Sequence, residues 1–307
     1  MPVTDPIVLE KGLKTAFFKA YDAANPITPL VATEAPSTNT DEKYGWLGTA
    51  PAMREWIDER QPAGLLDHSY TITNKKFEGS ISVDEDDLED DNYGQINIRV
   101  SDLGGRARRH PDTLLKSMIT DGETDLCYDG QAFFDTDHSE GSSGTQSNDL
   151  TASVTSTASV TVAEAKTIFY AQLEALLSFV DDRGEPYMEE WELNSNNLIT
   201  MISPDHMQGF EELFGANLTG GGDDNILKNR SRLVINPRLT DTTKIYTFYT
   251  GGVVKPFIWQ RRRGIRARVQ GVASDRGFDT GEFVFGVDYR ANMGYGLWQM
   301  ACLTTIS

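Results

Sequence analysis

Residues 84–121 read DEDDLEDDNYGQINIRVSDLGGRARRHPDTLLKSMITD, an acidic run followed by one long helical pattern. From Ile96 to Ala107 the apolar residues recur at helical spacing and form a single stripe. Pro111 interrupts the pattern and is expected to bend the helix, and the apolar face resumes at Leu114. We predict a helix over residues 92–121, far longer than the average of about 11–12 residues. A helix of this length organises a whole subunit.

Charge is segregated along the chain. The 307 residues carry 28 Lys and Arg against 46 Asp and Glu, a formal net charge of −18. Seven acids lie within residues 84–91 (the acidic run), and five arginines lie within residues 261–268 (the arginine run). The negative total argues against a protein that grips nucleic acid through its whole surface, and against one that binds an anionic membrane. Two opposite runs in one chain favour contacts between copies.

The remaining composition is that of a globular protein made inside a cell. Hydrophobic residues make up 39% of the chain, enough for a substantial core, and the length suggests about two domains. Cys127 and Cys302 are too few for a disulfide framework, so we expect two reduced thiols. The N-terminus lacks a signal-peptide pattern, and no stretch reaches the roughly 20 apolar residues that span a bilayer.

The N-terminal part of the chain predicts two segments that need a neighbour. After an amphipathic helix at residues 12–23, residues 25–43 are rich in Pro, Thr and acids without periodicity, which is typical of an arm. Residues 53–83 predict an extended hairpin with the limbs MREWIDER and HSYTITNKKFEGSISV. Because two-stranded ribbons are marginally stable alone, this hairpin implies a partner, which we expect to be another chain.

Helices and strands alternate in the second half of the chain. Residues 135–160 are rich in Ser, Thr, Gly and Asp and predict a surface loop. Residues 161–181 predict a helix with Thr161 and Glu164 as its capping box. A strand at 197–203, a helix opened by Pro204 and a flexible loop at 220–224 precede strands from Ser231 onward. The predicted class is α+β.

No group of residues has the spacing of a catalytic or metal site. The four histidines show no zinc-ligand spacing, and Cys127 has no His nearby in the sequence. Asp135, Asp137, His138 and Glu140 cluster, but glycine falls at the seventh position of this segment, where an EF-hand loop needs it at the sixth. We therefore predict a solvated acidic loop there. Nucleophile-elbow, phosphate-loop and zinc-protease patterns are also missing, so we expect no metal, no cofactor and no enzymatic activity.

Several segments, in this order and approximate spacing, resemble the Mu-type major head subunit family of tailed phages. They lie at residues 44–48, 54–56, 76–79, 86–94, 111–112, 127–135, 254–258, 283–286 and 294–300. Residues 1–40, 136–160 and 215–245 vary from that pattern. Each motif alone is weak, but together they are specific. The family carries no catalytic motif to transfer.

The resemblance implies the HK97-like tailed-phage major capsid fold. In that fold an N-terminal arm would span residues 1–45 and an E-loop hairpin 46–78. A peripheral (P) domain would span 79–123 and 263–293, with its spine helix at 92–121. An axial (A) domain would span 124–262 and 294–307. These expectations agree with the arm, unsupported hairpin and long helix that the residues themselves predict.

The function implied by the resemblance is structural. Copies would assemble as hexamers and pentamers into an icosahedral head shell that encloses double-stranded DNA without sequence-specific binding. The implied partners are other copies, a separate scaffolding or protease protein, the portal and decoration proteins, with no membrane. The protein would be made in the bacterial host cytoplasm and reside in the virion. The alternatives are a soluble α+β ligand-binding or hydrolytic protein and a calcium-loaded adhesin that uses residues 135–140.

Three groups of residues are our candidates for the subunit interface. The hairpin is a candidate because Trp and Arg often contribute most of the binding energy of an interface. The acidic run is a candidate because its charges are dense. We expect the arginine run, or the arginines of the long helix, to pair with the acidic run of the same or an adjacent subunit. The rival hypothesis is that these arginines face packaged DNA. The candidates are Arg54, Trp56, Arg60, Lys75, Lys76 and Phe77; Asp86, Asp87, Glu89 and Asp90; and Arg261, Arg262, Arg263 and Arg266.

Overall fold

The computed structural model describes residues 6–45, 70–84, 93–218, 222, 224–271, 274 and 279–307. Within these residues the chain forms five α-helices and eleven β-strands. The helices are α1 (Pro6–Ala23), α2 (Thr28–Val31), α3 (Tyr93–Thr120), α4 (Val162–Ser178) and α5 (Met207–Gly215). The strands are β1 (Ala32–Pro36), β2 (Asp41–Tyr44), β3 (Tyr70–Thr73), β4 (Lys75–Asp84), β5 (Asp149–Ala152), β6 (Leu198–Ile202), β7 (Arg232–Ile235), β8 (Lys244–Tyr249), β9 (Phe257–Gln270), β10 (Glu282–Tyr295) and β11 (Ala301–Ile306).

A four-stranded sheet in the order β1-β9-β10-β4 carries the two long helices on one face. Strand β1 runs parallel to β9, and the other two pairs are antiparallel. Alternate residues of β10, among them Phe283, Phe285 and Val287, are buried against Val100 of α3 and Phe17 of α1. Alternate residues of the strand lie on one face, and that face packs against the apolar stripe of α3. Together they enclose a small core.

Helix α3 confirms the long helix that the periodicity predicts, within one residue at each end. Pro111 lies inside it, and the next residue, Asp112, is buried. The Asp112 carboxylate accepts hydrogen bonds from the backbone N–H and the hydroxyl of Thr28, at 2.9 and 2.8 Å. These two bonds fix the start of α2 to the long helix.

A five-stranded sheet in the order β5-β11-β8-β6-β7 builds the second, larger core. All five residues of β6 are buried, as its continuous apolar run predicts. Helix α4 packs on β11 and begins at the predicted capping box, in which Thr161 and Glu164 exchange hydrogen bonds. Pro204 opens a short 3-10 turn that leads into α5.

The composition of residues 25–43 predicts an irregular arm, either disordered or ordered by lying on a neighbour, but these residues have regular secondary structure within the subunit. They form α2, β1 and β2, because β1 pairs with β9 and β2 pairs antiparallel with β3. The tyrosine that ends β2, Tyr44, donates a 2.7 Å hydrogen bond to the Gln260 side chain. The second limb of the predicted hairpin is divided at Asn74 into β3 and β4, and β4 pairs with β10. The first limb lies outside the described residues.

Three other expectations need correction. The segments GVVKPFIW and IRARVQGV contribute to one long strand, β9, in place of two. The predicted strand YGLWQMACL begins as the end of β10 and then forms a 3-10 turn at Trp298–Met300 before β11. The polar loop at 135–160 contains β5 and buries His138, Glu140 and Asn148. His138 bonds to the Asp129 carboxylate, and the Asn148 amide donates to the backbone oxygens of Phe133 and Trp298. In the described part of the chain, no helix is both long enough and apolar enough to cross a membrane.

Candidate subunit-interface surfaces

The four-stranded sheet has an open face, which we define as the side opposite α1 and α3. Side chains at alternate positions of β4 and β9 are exposed there. The strand register places Glu78 beside Asp288 and Asp288 beside Arg266, and it places Lys76 beside Arg290. Small residues, Ser80 and Gly286, occupy the next row. The open face is therefore polar, with basic residues on β4, on β9 and on β10 between them.

The arginine run lies in β9, and its members do not share one partner. Arg261 forms an ion pair with Glu34 of β1 at 2.6 Å. Arg263 pairs with Asp288 of β10, and the Arg268 Nε lies 3.7 Å from the same carboxylate. The two acids that neutralise these arginines were missed by sequence reasoning. The available signal for Asp288 was its place at a polar position in the alternating segment EFVFGVDYR.

Two arginines of the run remain without an ion pair inside the described part of the subunit. Arg262 and Arg266 are both exposed and have no carboxylate within ion-pair distance among the described residues. The register shifts twice between Asp288 and Ala291, so β9 bulges in this region. A bulge re-aims side chains and increases twist. This part of the run is the most available for a contact outside the subunit.

The described candidates from the hairpin have different surroundings. Lys75 and Lys76 are exposed at the start of β4 and form no ion pair with any described residue. Phe77 is half-buried, and its ring packs on His110 of α3 at 4.7 Å and on Tyr289 at 5.2 Å. The remaining candidates lie outside the described residues: Arg54, Trp56, Arg60, Asp86, Asp87, Glu89 and Asp90.

Two arginines of α3 have local contacts within the subunit. Arg106 bonds to Asp102 one turn earlier, at 2.7 Å. The Arg108 guanidinium lies over the ring of Tyr21 in α1, 5.1 Å from its centroid. Both contacts hold these arginines to residues of the same subunit.

A buried polar cluster lies in the loop between α3 and β5, and the sequence did not predict it. The Asp129 carboxylate accepts hydrogen bonds from the Cys127 thiol at 2.9 Å, the Gln131 backbone N–H at 3.0 Å and the His138 imidazole at 2.7 Å. Burial alone would raise the pKa of Asp129, but the bonds from His138 and Cys127 lower it. Burial, followed by the charge of Asp129, raises the pKa of the Cys127 thiol.

The cluster corrects the reading of Cys127 as a thiol with no His nearby. The side-chain ligand atoms of Cys127, Asp129 and His138 all lie within 4.8 Å of one another, and within the described ranges this is the group that could hold a metal ion. The carboxylate already accepts three hydrogen bonds, and the imidazole stacks on Trp298 at 4.0 Å. These contacts hold the loop against Trp298, in the 3-10 turn that precedes β11.

The acids of the predicted solvated loop are used locally. Asp137 accepts a 2.9 Å bond from the Gln131 side chain, and Asp135 accepts one from the Thr136 N–H. Glu140 is buried, so the loop is less solvated than its composition predicts. The acids do not converge on one point as calcium ligands do.

The architecture is that of the HK97-like major capsid proteins of tailed phages. The chain superposes on a subunit in the procapsid of bacteriophage JBD30 with a TM-score of 0.58, covering 98% of this chain and 76% of that chain at 24% sequence identity.

The sequence comparison gives the family. Residues 7–168 and 240–305 match the family described as Mu-like prophage major head subunit gpT, and the chain belongs to it. It is 27% identical over 297 residues to the major capsid protein of Escherichia phage Mu, covering 95% of this chain and 72% of that protein. It is 26% identical over 272 residues to the Mu-like prophage FluMu major head subunit of Haemophilus influenzae, covering 88% of this chain. The chain spans 63% of the length of that Haemophilus relative.

Proposed function

We propose that this protein is the major capsid protein of a tailed phage or prophage, whose copies form hexamers and pentamers and close into an icosahedral shell around double-stranded DNA. The family match carries the proposal, because its two segments include most elements of both sheets and the whole of α3. Closed symmetry uses the same contacts many times, so one chain suffices to build the shell. The role is structural, and the protein is located in the phage particle.

The two cores support a division into peripheral and axial domains. Leu13, Val83, Val100 and Phe285 belong to the core between α1, α3 and the four-stranded sheet, which corresponds to the P domain with α3 as its spine helix. The larger core around the five-stranded sheet corresponds to the A domain. The proposed boundaries, 262/263 and 293/294, fall inside β9 and β10. Two continuous strands would therefore join the domains rigidly.

The open face and the hairpin are the proposed contacts between copies. Lys75, Lys76, Arg262 and Arg266 are exposed basic residues with no ion pair among the described residues, and the acidic run supplies the opposite charge. The proposed interface also includes the remaining candidates. These are Arg54, Trp56, Arg60 and the half-exposed ring of Phe77 in the hairpin, Arg261 and Arg263 in the arginine run, and Asp86, Asp87, Glu89 and Asp90 in the acidic run. A separate scaffolding or protease protein, the portal and decoration proteins would join the particle in the host cytoplasm.

Negative-stain microscopy and sedimentation of the purified protein test the assignment. Capsomers or polyhedral shells are the expected result, and a strict monomer over a wide concentration range would contradict it.

The double variant R262E/R266E tests the open face, since neither arginine has an ion pair in the described part of its own subunit. Loss of shells with an unchanged monomer melting temperature is expected. Shells that form normally but fail to retain DNA would instead assign these arginines to the packaged genome. The matched control is K166E, which reverses an exposed charge on α4, next to the five-stranded sheet.

A further inference from the structure

A cavity of about 520 Å³ lies between the end of α1, the segment from Pro26 to Glu34, α3 and β9. Its walls are partly aromatic, with Tyr21, Trp259 and Tyr289 among the residues that line it. Its residues come from six elements, α1, α2, α3, β1, β9 and β10, so the cavity exists only in the folded subunit.

The cavity is basic. Three guanidinium groups line it, those of Arg108, Arg261 and Arg263, against the single carboxylate of Glu34. Glu34 is paired with Arg261, and Arg263 is paired with Asp288 from outside the cavity. The cavity therefore holds more positive charge than its own acids neutralise.

Two of the buried donors in this cavity lack an acceptor. The Nε atoms of Arg108 and Arg263 are shielded from solvent and have no hydrogen-bond partner among the described residues. A buried donor without a partner costs free energy, and this cost is greater for a charged group. Burial, followed by the neighbouring guanidiniums of Arg266, Arg268, Arg290 and Arg262, lowers the pKa of Arg263. An added carboxylate would relieve both the missing bonds and the repulsion between like charges.

We propose that the acidic run of a second copy of this chain docks in this cavity, with carboxylates on the arginines and Leu88 against the aromatic wall. The proposal rests on the capsid function proposed above and names the partner segment for one of its contacts. Its chemical basis is complementarity, because seven acids within eight residues surround one apolar side chain. Carboxylate–guanidinium pairs are among the strongest hydrogen-bonded contacts in proteins.

The register explains why the segment must come from another copy. Asp84 pairs with Glu282, whereas Arg263 pairs with Arg290, eight residues further along β10. Eight residues of a strand span about 26 Å. Residue 88 is four residues from Asp84, and four extended residues reach about 14 Å. This reach is shorter than the distance along the sheet from Asp84 to Arg263.

The other end of the acidic run is tethered in the same way. The run continues into α3 at Tyr93, and the cavity residue Arg108 lies fifteen residues further along that helix. Fifteen helical residues rise about 22 Å, so Tyr93, the first described residue after the run, lies far along α3 from this arginine. We therefore assign the docked segment to a neighbouring subunit.

Cysteine cross-linking in assembled shells tests the proposal. One chain carries D87C, and a co-produced chain carries G264C in the cavity wall, where an added Cβ meets no atom within 4 Å. The native Cys127 and Cys302 are buried and do not compete. The matched control pairs D87C with G215C, since Gly215 in α5 also has open space around an added Cβ. A disulfide-linked dimer with G264C but not with G215C is expected.

The other outcomes of the cross-linking experiment distinguish failure of this contact from failure of the capsid function. Shells without the G264C-linked dimer overturn this proposal and leave the capsid function standing. A double variant D87C/G264C that closes a loop within one chain overturns it as well, because the segment would then occupy its own subunit. Failure of the unmodified chain to form any assembly contradicts the capsid function itself.

A binding measurement keeps the proposal testable if the cysteine variants do not assemble. A labelled peptide of residues 84–91 is titrated against the unassembled full-length protein by fluorescence anisotropy. The same peptide with every acid replaced by its amide is expected to bind at least about tenfold more weakly, because it cannot form charge-assisted bonds. Equal binding of both peptides, or binding of a double-stranded DNA oligonucleotide that the acidic peptide cannot displace, would overturn the proposal.

Discussion

Helices α1 and α3 approach so closely that Gly104 has no room for a side chain. A Cβ added at Gly104 would lie 2.5 Å from the backbone oxygen of Phe17 and 3.3 Å from the Cβ of Ala20. The adjacent Gly105 is a natural control. Its added Cβ would approach only the end of the Arg109 side chain, at 3.3 Å, and that side chain can move. G104A should therefore separate the two helices, and G105A should not.

The magnitude follows from two opposing terms. Glycine inside a helix is about 0.8–1.0 kcal/mol less favourable than alanine, so both substitutions gain that amount from helix propensity. Overpacking against a backbone atom costs typically about 1–3 kcal/mol, and only G104A incurs it. G105A should thus stabilise the subunit. Because both variants gain the same helix propensity, the difference between their unfolding free energies measures the cost of separating α1 from α3.

The measurement is thermal or urea unfolding of the unassembled full-length chain, followed by circular dichroism. A difference of about 1–3 kcal/mol corresponds to a difference of several degrees in melting temperature, with G105A the higher, because about 2–4 °C accompanies each kcal/mol at 150–250 residues. If G104A proves as stable as G105A, the close contact between α1 and α3 does not exist and the reasoning fails.

Two further predictions concern side-chain bonds. Backbone N–H donors at Thr155 and Thr161 lower the pKa of Glu164 to about 2. The ionised Glu164 carboxylate therefore stabilises the folded chain above its ordinary pKa of 4.5, and this contribution is lost as the pH falls towards 2. The stability difference between wild type and E164Q, measured by urea unfolding, should shrink over that range, and a difference independent of pH would contradict this. D112A should destabilise the subunit by about 1–3 kcal/mol, since it leaves the two donors of Thr28 unpaired in a buried site. D112N retains an acceptor oxygen and should lose less, and equal losses in urea unfolding would show that these bonds do not matter.

The amino-acid sequence by itself determined the features that depend on neighbours along the chain. The apolar stripe fixed α3, the pair Thr161 and Glu164 fixed the start of α4, and the continuous apolar run at 198–202 fixed a buried strand. These signals are local, since a helix or strand repeats over a few residues and one face must be buried. The segregation of charge was visible in the same way, although its partners were not.

Only the tertiary structure decided which distant residues meet. The strand at Ala32 is held by Phe257, far away in the chain, so the irregular composition of residues 25–43 concealed an ordered segment. Arg263 forms an ion pair with Asp288 because β9 and β10 pair in one register, and no local sequence pattern specifies that register. Gly104 and Gly105 are adjacent in the sequence, and only the packed structure distinguishes them, because α1 lies against Gly104 alone. Contacts of this kind depend on how whole elements pack, and packing is a property of the folded chain.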